Sequence, residues 1–314
     1  MIATLKRIKW LYVAYNFFHQ KKLAYLKPLY ARFGVRKRCF QTISSSDLNE
    51  YDPLIGPVLD RLNSVNELPS HPLYADLPEK IQEELLHWSD DGYAVLEGFF
   101  TGEQVASIND RIEKLVKSSQ LEIREGRKIM FAVNHSPKLR AEASPGRLEK
   151  ILEMVLGRPV SLFQSVNFYK GSEDPAHSDF IHMSTYPYGF LIAVWIALED
   201  IDMDNGPLFY YPGSHKLKYI MNNDFDHGGN NWMLGKNYKE KYSNKIASVL
   251  ADTDFKIKYF TAKKGDVLIW HANLLHGGAK VVNGDRTRKS MVMHYFGSDV
   301  IRYHEVTQRP SLMN

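Results

Sequence analysis

Residues 160–198 read VSLFQSVNFYKGSEDPAHSDFIHMSTYPYGFLIAVWIAL. Two runs rich in β-branched and aromatic residues, 160–169 and 190–198, flank the turn-forming stretch KGSED and the polar segment HSDFIHM (177–183). Runs of that length and composition read as strands rather than helices. The pattern continues with LFYYP (208–212), FKIKYFT (255–261), DVLIWH (266–271) and KSMVMHYF (289–296). Turn signals separate them: DMDNGP, PGSH, KKGD and NGDR. Short antiparallel strands at this spacing predict a mainly β fold with flanking helices, a double-stranded β-helix (jelly roll, cupin-like).

Upstream of residue 160 the periodicity is mixed. LPEKIQEELLHWSDDG (77–92) is read as a helix, with Pro78 near its start and acids in its first turn. GYAVLEGFF (92–100) and RKIMFAV (127–133) read as strands. Thr101 with Gln104 three residues on forms a capping box, and Val105, Ile108, Ile112, Leu115 and Val116 then recur at helical spacing. RLEKILEMVL (147–156) is a further amphipathic helix, ended by Gly157 and Pro159.

The organisation expected is a basic, aromatic segment (1–46), a Pro-rich connector (47–78), and a catalytic domain (79–314). A lid-like insertion, 216–254, interrupts the strands of that domain. Within the insertion Gly228-Gly229 offers a flexible point, and Asn230, Asn231, Trp232 and Tyr238 are candidates to meet a polar or ring-bearing substrate.

Of 314 residues, 44% are apolar and 24% charged, and the net charge is +4, values of a soluble globular protein. The charge is uneven. No acid precedes Asp47, whereas Lys6, Arg7, Lys9, Lys21, Lys22, Lys27, Arg32, Arg36, Lys37 and Arg38 do. Interleaved with Trp10, Tyr12, Phe17, Phe18, Tyr25 and Tyr30, these bases make residues 1–40 a candidate for peripheral membrane contact. The alternative is docking on the catalytic domain or on a partner. Pro28 is expected to break the segment in two. No nucleic-acid motif accompanies the charge, so no nucleic-acid partner is expected. No apolar run reaches the roughly 18 residues of a spanning helix, and no cleavable leader is expected. The one cysteine, Cys39, excludes an internal disulfide and suits a reducing, cytoplasmic setting, with membrane association left open.

His177 and Asp179, two apart on an extended strand, would point to one face. His276 in GDVLIWHANLLHGG is the best third ligand, and two His with one carboxylate is the open-sided set of non-haem Fe(II) oxygenases. His271, five residues before His276, falls on the opposite face of a regular strand. His182 is read as a pocket or packing residue, and His215 as a turn residue.

DGYAVLEGFFTGEQVASIND, HSD, DNGPLFYYPGSHK and GDVLIWHANLLHGGAKVVNGDRTRKSMVMHYF, in that order over roughly residues 80–300, resemble the phytanoyl-CoA dioxygenase family, which includes the bacterial ectoine hydroxylases. That resemblance implies Fe(II), 2-oxoglutarate and O2, with His177, Asp179 and His276 as the metal ligands. The distal His of the family directly precedes a Gly, as His276 does. Arg288, twelve residues after His276, stands where the family places the Arg that pairs with the far carboxylate of 2-oxoglutarate. Arg286 is its rival, and Arg288 is preferred because the apolar strand begins directly after it.

Gln164 and Asn167 resemble the strand that helps hold the co-substrate, and Trp195 would wall the pocket. Relatives often carry Ser where this chain has Gly278, so one hydrogen bond to that carboxylate must come from elsewhere. Halogenating relatives lack the carboxylate of the triad, so Asp179 favours hydroxylation. The implied function is hydroxylation of an unactivated C–H bond of a small-molecule substrate, which the basic aromatic N-terminus suggests is lipid-linked or a glycan. The alternative is a cupin-like protein that binds or isomerises a sugar without turning over 2-oxoglutarate.

Overall fold

A computed structural model describes residues 7–50, 52–61, 64–230 and 232–313. Among them the strands are β1 (Tyr93–Leu96), β2 (Lys128–Met130), β3 (Val160–Phe168), β4 (Ser184–Tyr186), β5 (Leu191–Ala197), β6 (Leu208–Tyr210), β7 (Lys258–Phe260), β8 (Val267–His271), β9 (His276–Gly278), β10 (Ser290–Gly297), β11 (Ile301–His304) and β12 (Arg309–Pro310). They form a six-stranded sheet, β1-β8-β5-β10-β3-β2, and two three-stranded sheets, β7-β6-β9 and β12-β11-β4. Every pairing between these strands is antiparallel. This is the jelly roll expected from the strand pattern.

Both faces of the large sheet are covered, which is why its central strands β5 and β10 read as near-continuous apolar runs. Ile192, Val194, Ile196, Met291, Met293 and Tyr295 face outward. Against them lie the helices Gly102–Lys117 and Gly146–Leu156, which bury Val105, Ile108, Ile112, Ile151 and Val155. The alternate residues, Ala193, Trp195, Leu268, Trp270 and Val292, face inward and pack on Leu208, Tyr210 and Phe260 of the small sheet. The first of these helices starts with the expected capping box. Gln104 N donates to Thr101 Oγ1 (3.2 Å) and Thr101 N to Gln104 Oε1 (2.9 Å).

Three local expectations are corrected. HSDFIHM is not a strand. His177 makes a single bridge to His276, and Asp179–Ile181 is a 3-10 turn in which the N–H groups of His182 and Met183 both donate to Asp179 O (3.0 Å each). RKIMFAV pairs only as far as Met130, and Ala132–His135 is a helical turn. Phe131, at φ +62°, turns its N–H onto Ser165 O (2.7 Å) and ends the ladder. Pro28 breaks nothing: it lies in the first turn of the helix Leu26–Arg32, where backbone N–H groups lack an intrahelical acceptor anyway. The chain bends instead at His19, between that helix and Lys9–Phe18.

The N-terminal segment docks on the catalytic domain. Leu23, Leu26, Leu29 and Tyr30 share a core with Phe180, Met183, Tyr186, Phe296, Ile301 and Tyr303. The connector runs as short 3-10 turns. Fully buried Glu305 ties the end of the N-terminal segment to the insertion, accepting from Ser45 N (2.8 Å), Ser45 Oγ (2.8 Å) and Asn222 N (3.2 Å). The insertion carries the helix Tyr238–Ala251, which buries Tyr242 and Ile246 against Ile181, Leu275 and Val306. Asn230 is spent on a local turn, its Oδ1 accepting from the N–H of Trp232 and of Met233 (2.9 Å each). Trp232 is exposed, and Asn231 lies outside the described residues.

Truncating a docked leucine tests the packing of the first forty residues. Leu26→Ala is expected to cost about 2–5 kcal/mol of unfolding free energy in urea titration, the usual range for a buried Leu. A cost below about 0.5 kcal/mol, the level of a surface change, would show the segment undocked in solution.

Candidate metal centre

The bridge that replaces the expected strand builds the centre. His177 N donates to His276 O and His276 N to His177 O (2.9 Å each), which sets the two rings side by side, tilted by 50° with centroids 4.5 Å apart. The 3-10 turn then aims Asp179 inward, and one ligand atom from each of His177, Asp179 and His276 lies within 4.8 Å of the others. His276 and Asp179 are buried, and His177 is half-buried.

Both imidazoles are oriented from behind. His177 Nδ1 lies 2.8 Å from Pro175 O, and His276 Nδ1 lies 2.9 Å from Leu274 O. A carbonyl only accepts, so each Nδ1 carries the proton and each Nε2 presents a lone pair to the centre. Burial lowers the His276 pKa to about 4, partly opposed by Asp179, so the ring is neutral near pH 7. For Asp179, burial raises the pKa, but His276, His294 and His177 outweigh it and hold the carboxyl well below the usual carboxylate range. Two imidazoles and one carboxylate, open on one side, are the donor set of a divalent Fe site.

Two residues that sequence reasoning missed position that carboxylate. Trp270 Nε1 donates to Asp179 Oδ2 (3.0 Å), and His294 Nε2 lies 3.4 Å from the same oxygen. A signal for His294 existed. Arg288, Ser290, Val292 and His294 fall on alternate positions, so a histidine in an apolar strand shares the inward face of β10 with Arg288.

A chamber of about 100 Å³ joins the triad to Arg288, with Val166, Phe168 and Trp195 among its walls. Arg288 is 2% exposed, donates from Nη1 to Ser290 Oγ (2.6 Å), and leaves its buried Nε without a partner. Its guanidinium lies 5.0 Å from the Phe168 ring and 5.8 Å from that of Trp195. Burial lowers its pKa to about 10, against Asp174 and Glu199, and it stays charged. The rival Arg286 is at the surface, where its Nη1 lies 2.8 Å from each carboxylate oxygen of Asp202. A Cβ added at Gly278 would run into Ser172 Oγ. Ser172 lines the chamber and occupies the space that a side chain at Gly278 would fill.

Gln164 also faces inward, with Nε2 3.3 Å from His294 Nδ1 and 3.3 Å from Met183 Sδ. Asn167 does not, which corrects the expectation. It stands three residues from Gln164 with no bulge between them, so the two lie on opposite faces. Asn167 pairs with Met291 and Ile129 in the helix-facing core, its amide buried without a partner. His271, as expected, lies outside the centre, with Nε2 2.8 Å from Asp60 Oδ2.

Comparison with known proteins agrees with this geometry. The chain is 28% identical over 208 residues to an ectoine dioxygenase of Sphingopyxis alaskensis, a match covering 60% of this chain and 66% of that protein. It is 32% identical over 135 residues to the peroxisomal phytanoyl-CoA dioxygenase of Rattus norvegicus, covering 41% and 35%. The matches thus span about two thirds of the first relative's length and about a third of the second's. Among solved structures, the non-heme alpha ketoglutarate dependent carbocyclase SnoK of nogalamycin biosynthesis shares the fold, with TM-score 0.56 and 17% identity over 73% of this chain and 87% of its own. So does EctD from S. alaskensis with 2-oxoglutarate and 5-hydroxyectoine, with TM-score 0.52 and 22% identity over 67% and 73%. The family model "Phytanoyl-CoA dioxygenase (PhyH)" matches residues 88–290, a stretch that holds the triad, most of the chamber walls and Arg288, and the chain belongs to that family.

Proposed function

We propose that this protein is an Fe(II)- and 2-oxoglutarate-dependent dioxygenase that hydroxylates an unactivated C–H bond of a small molecule. The observation that carries the reading is the pairing of a His-Asp-His triad with a buried guanidinium that makes no ion pair among the described residues, on one chamber. His177, Asp179 and His276 would hold Fe(II), which with 2-oxoglutarate and O2 supplies the oxidising chemistry. Arg288 would take the far carboxylate of 2-oxoglutarate in a two-point pair. Ser172, in the space left by Gly278, would give the hydroxyl that relatives supply from the neighbouring strand. Trp270 and His294 fix Asp179, and Tyr242 fastens the intervening residue by accepting from Ser178 N (3.2 Å). Trp195 and Phe168 keep the guanidinium end dry, which strengthens its pull on an anion. A cupin-like sugar binder or isomerase gives Arg288 no task, although burying an unpaired guanidinium is costly.

The substrate side retains a surface reading. On the docked N-terminal helix, Trp10, Phe17 and Phe18 remain exposed, beside Trp232, whose carbonyl accepts from Lys9 N (2.9 Å). Lys21 and Lys22 are exposed directly after them. No helix among the described residues is long and apolar enough to cross a membrane. Exposed aromatics bordered by cations fit the headgroup layer of an anionic bilayer, which favours a lipid-linked or glycolipid substrate reached at that surface.

Anaerobic titration of Fe(II) and 2-oxoglutarate into the protein should give a weak visible charge-transfer band that is absent in His177→Ala. Arg288→Gln should weaken 2-oxoglutarate binding about 10- to 150-fold, the loss of a hydrogen-bonded charge, and Ser172→Ala by less. An unchanged 2-oxoglutarate affinity in Arg288→Gln would refute the assignment. Vesicle flotation tests the surface: Trp10→Ala with Phe18→Ala should lower recovery on phosphatidylglycerol vesicles. Equal recovery by the parent protein on neutral vesicles would sink the membrane reading.

A further inference from the structure

The strand register divides the barrel interior. Arg288 lies beside Phe168 at one end of β3, while Gln164, with His294 and Met183, stands further back along the same strand. Beyond Gln164 opens a second, larger cleft of about 720 Å³. Its walls come from the first helix, the turn after β2, β3 and the C-terminal tail.

A line of basic groups runs outward along this cleft from the metal centre. His182 N donates to Asp179 O (3.0 Å), and the His182 ring lies 5.3 Å from that of His304. Arg309 follows at the mouth, exposed, with its guanidinium 5.1 Å from the Tyr12 ring and no ion pair among the described residues. None of the described residues lining the cleft is acidic. Either ring can turn an N–H donor toward the cleft. At the inner end, Gln164 is one imidazole away from Asp179.

We propose that this cleft is the substrate chamber and that it selects a molecule bearing a carboxylate or phosphate. The anion would sit against Arg309, His304 and His182, and the carbon to be oxidised would lie near Gln164. Arg offers a planar fork to such oxygens, and imidazoles add N–H donors. The apolar sides, Phe163 and Met183 among them, suit a ring or short chain as the body of the molecule. This rests on the oxygenase reading above, but it concerns different residues from those that hold metal and co-substrate.

The test is a thermal-shift screen of the Fe(II)-loaded full chain with matched pairs of metabolites: acid against amide, and phosphate ester against alcohol. Hits should concentrate in the anionic members. Their affinity should fall about tenfold or more in Arg309→Gln, recover in Arg309→Lys, and fall in His304→Gln. Affinity for 2-oxoglutarate should be unchanged in Arg309→Gln and lost in Arg288→Gln, which separates the two anion sites. Neutral members binding as well as their anionic partners, no anionic hit at all, or anionic hits indifferent to Arg309→Gln would each overturn the proposal. Failure of the native protein to bind 2-oxoglutarate would overturn the oxygenase reading instead, and anion selection through Arg309 would still stand.

Discussion

A carboxylate held ionised out of reach of water governs the architecture of the centre. Asp179 is 7% exposed, and burial alone would drive it to take up a proton. Three imidazoles and an indole N–H reverse that outcome, and each must arrive from a different part of the chain. β8 brings Trp270, β9 brings His276, β10 brings His294, and the segment after β3 brings His177. An uncompensated buried charge costs several kcal/mol, so these elements cannot shift independently. That constraint accounts for the 3-10 turn at Asp179–Ile181. A straight strand would carry Asp179 along the sheet, whereas the turn aims it at Trp270 and His294 and leaves His182 to face the second cleft.

Elements governed by burial on both sides were legible from the residues alone. FLIAVWIAL and KSMVMHYF have no alternation to misread, and the observed strands Leu191–Ala197 and Ser290–Gly297 differ from the expected ranges by a residue at each end. The capping box of Thr101 and Gln104 was legible because its hydrogen bonds are local. HSDFIHM was misread because its geometry is set by distant partners, Ala272 O accepting from Phe180 N (3.1 Å) and Trp270 Nε1 donating to Asp179 Oδ2 (3.0 Å). β9, β11 and β12 are two to four residues long and carry too few residues for any period to emerge.

The site was legible to the extent that it depends on residue type at fixed spacing. His177, Asp179, His276 and Arg288 converge on one chamber, with Trp195 in its wall. Asn167 failed on a point the sequence could have supplied, since residues three apart on an unbulged strand cannot share a face. Ser172 could not have been found that way. It lies in a turn, and only the approach of that turn to Gly278 shows that the missing side chain and the intruding hydroxyl occupy one space. Placing a side chain at Gly278 would therefore require moving the turn that carries Ser172 and Asp174.

The two cavities differ in where their walls come from. The small one, with the triad and Arg288, is built almost wholly within residues 88–290, the span shared with the family, with Val292 and His294 just beyond it. Much of the large one comes from outside that span: Tyr15 and Asn16 on the N-terminal helix, and His304 and Arg309 on the tail. The barrel fixes β3, β10 and the turn at Asp179 because their strands pair through the sheet. The N-terminal helices meet it through side-chain packing at its edge, Leu26 and Tyr30 against Tyr186 and Tyr303, whereas the tail adds β11 to β4 by backbone pairing. Packing of that kind tolerates substitution more readily than a ladder of backbone hydrogen bonds around a buried charge. A chain that keeps the same oxidising centre can thus alter what it accepts by changing its ends. In this one the tail places the cation of Arg309 and the imidazole of His304 along the second cleft.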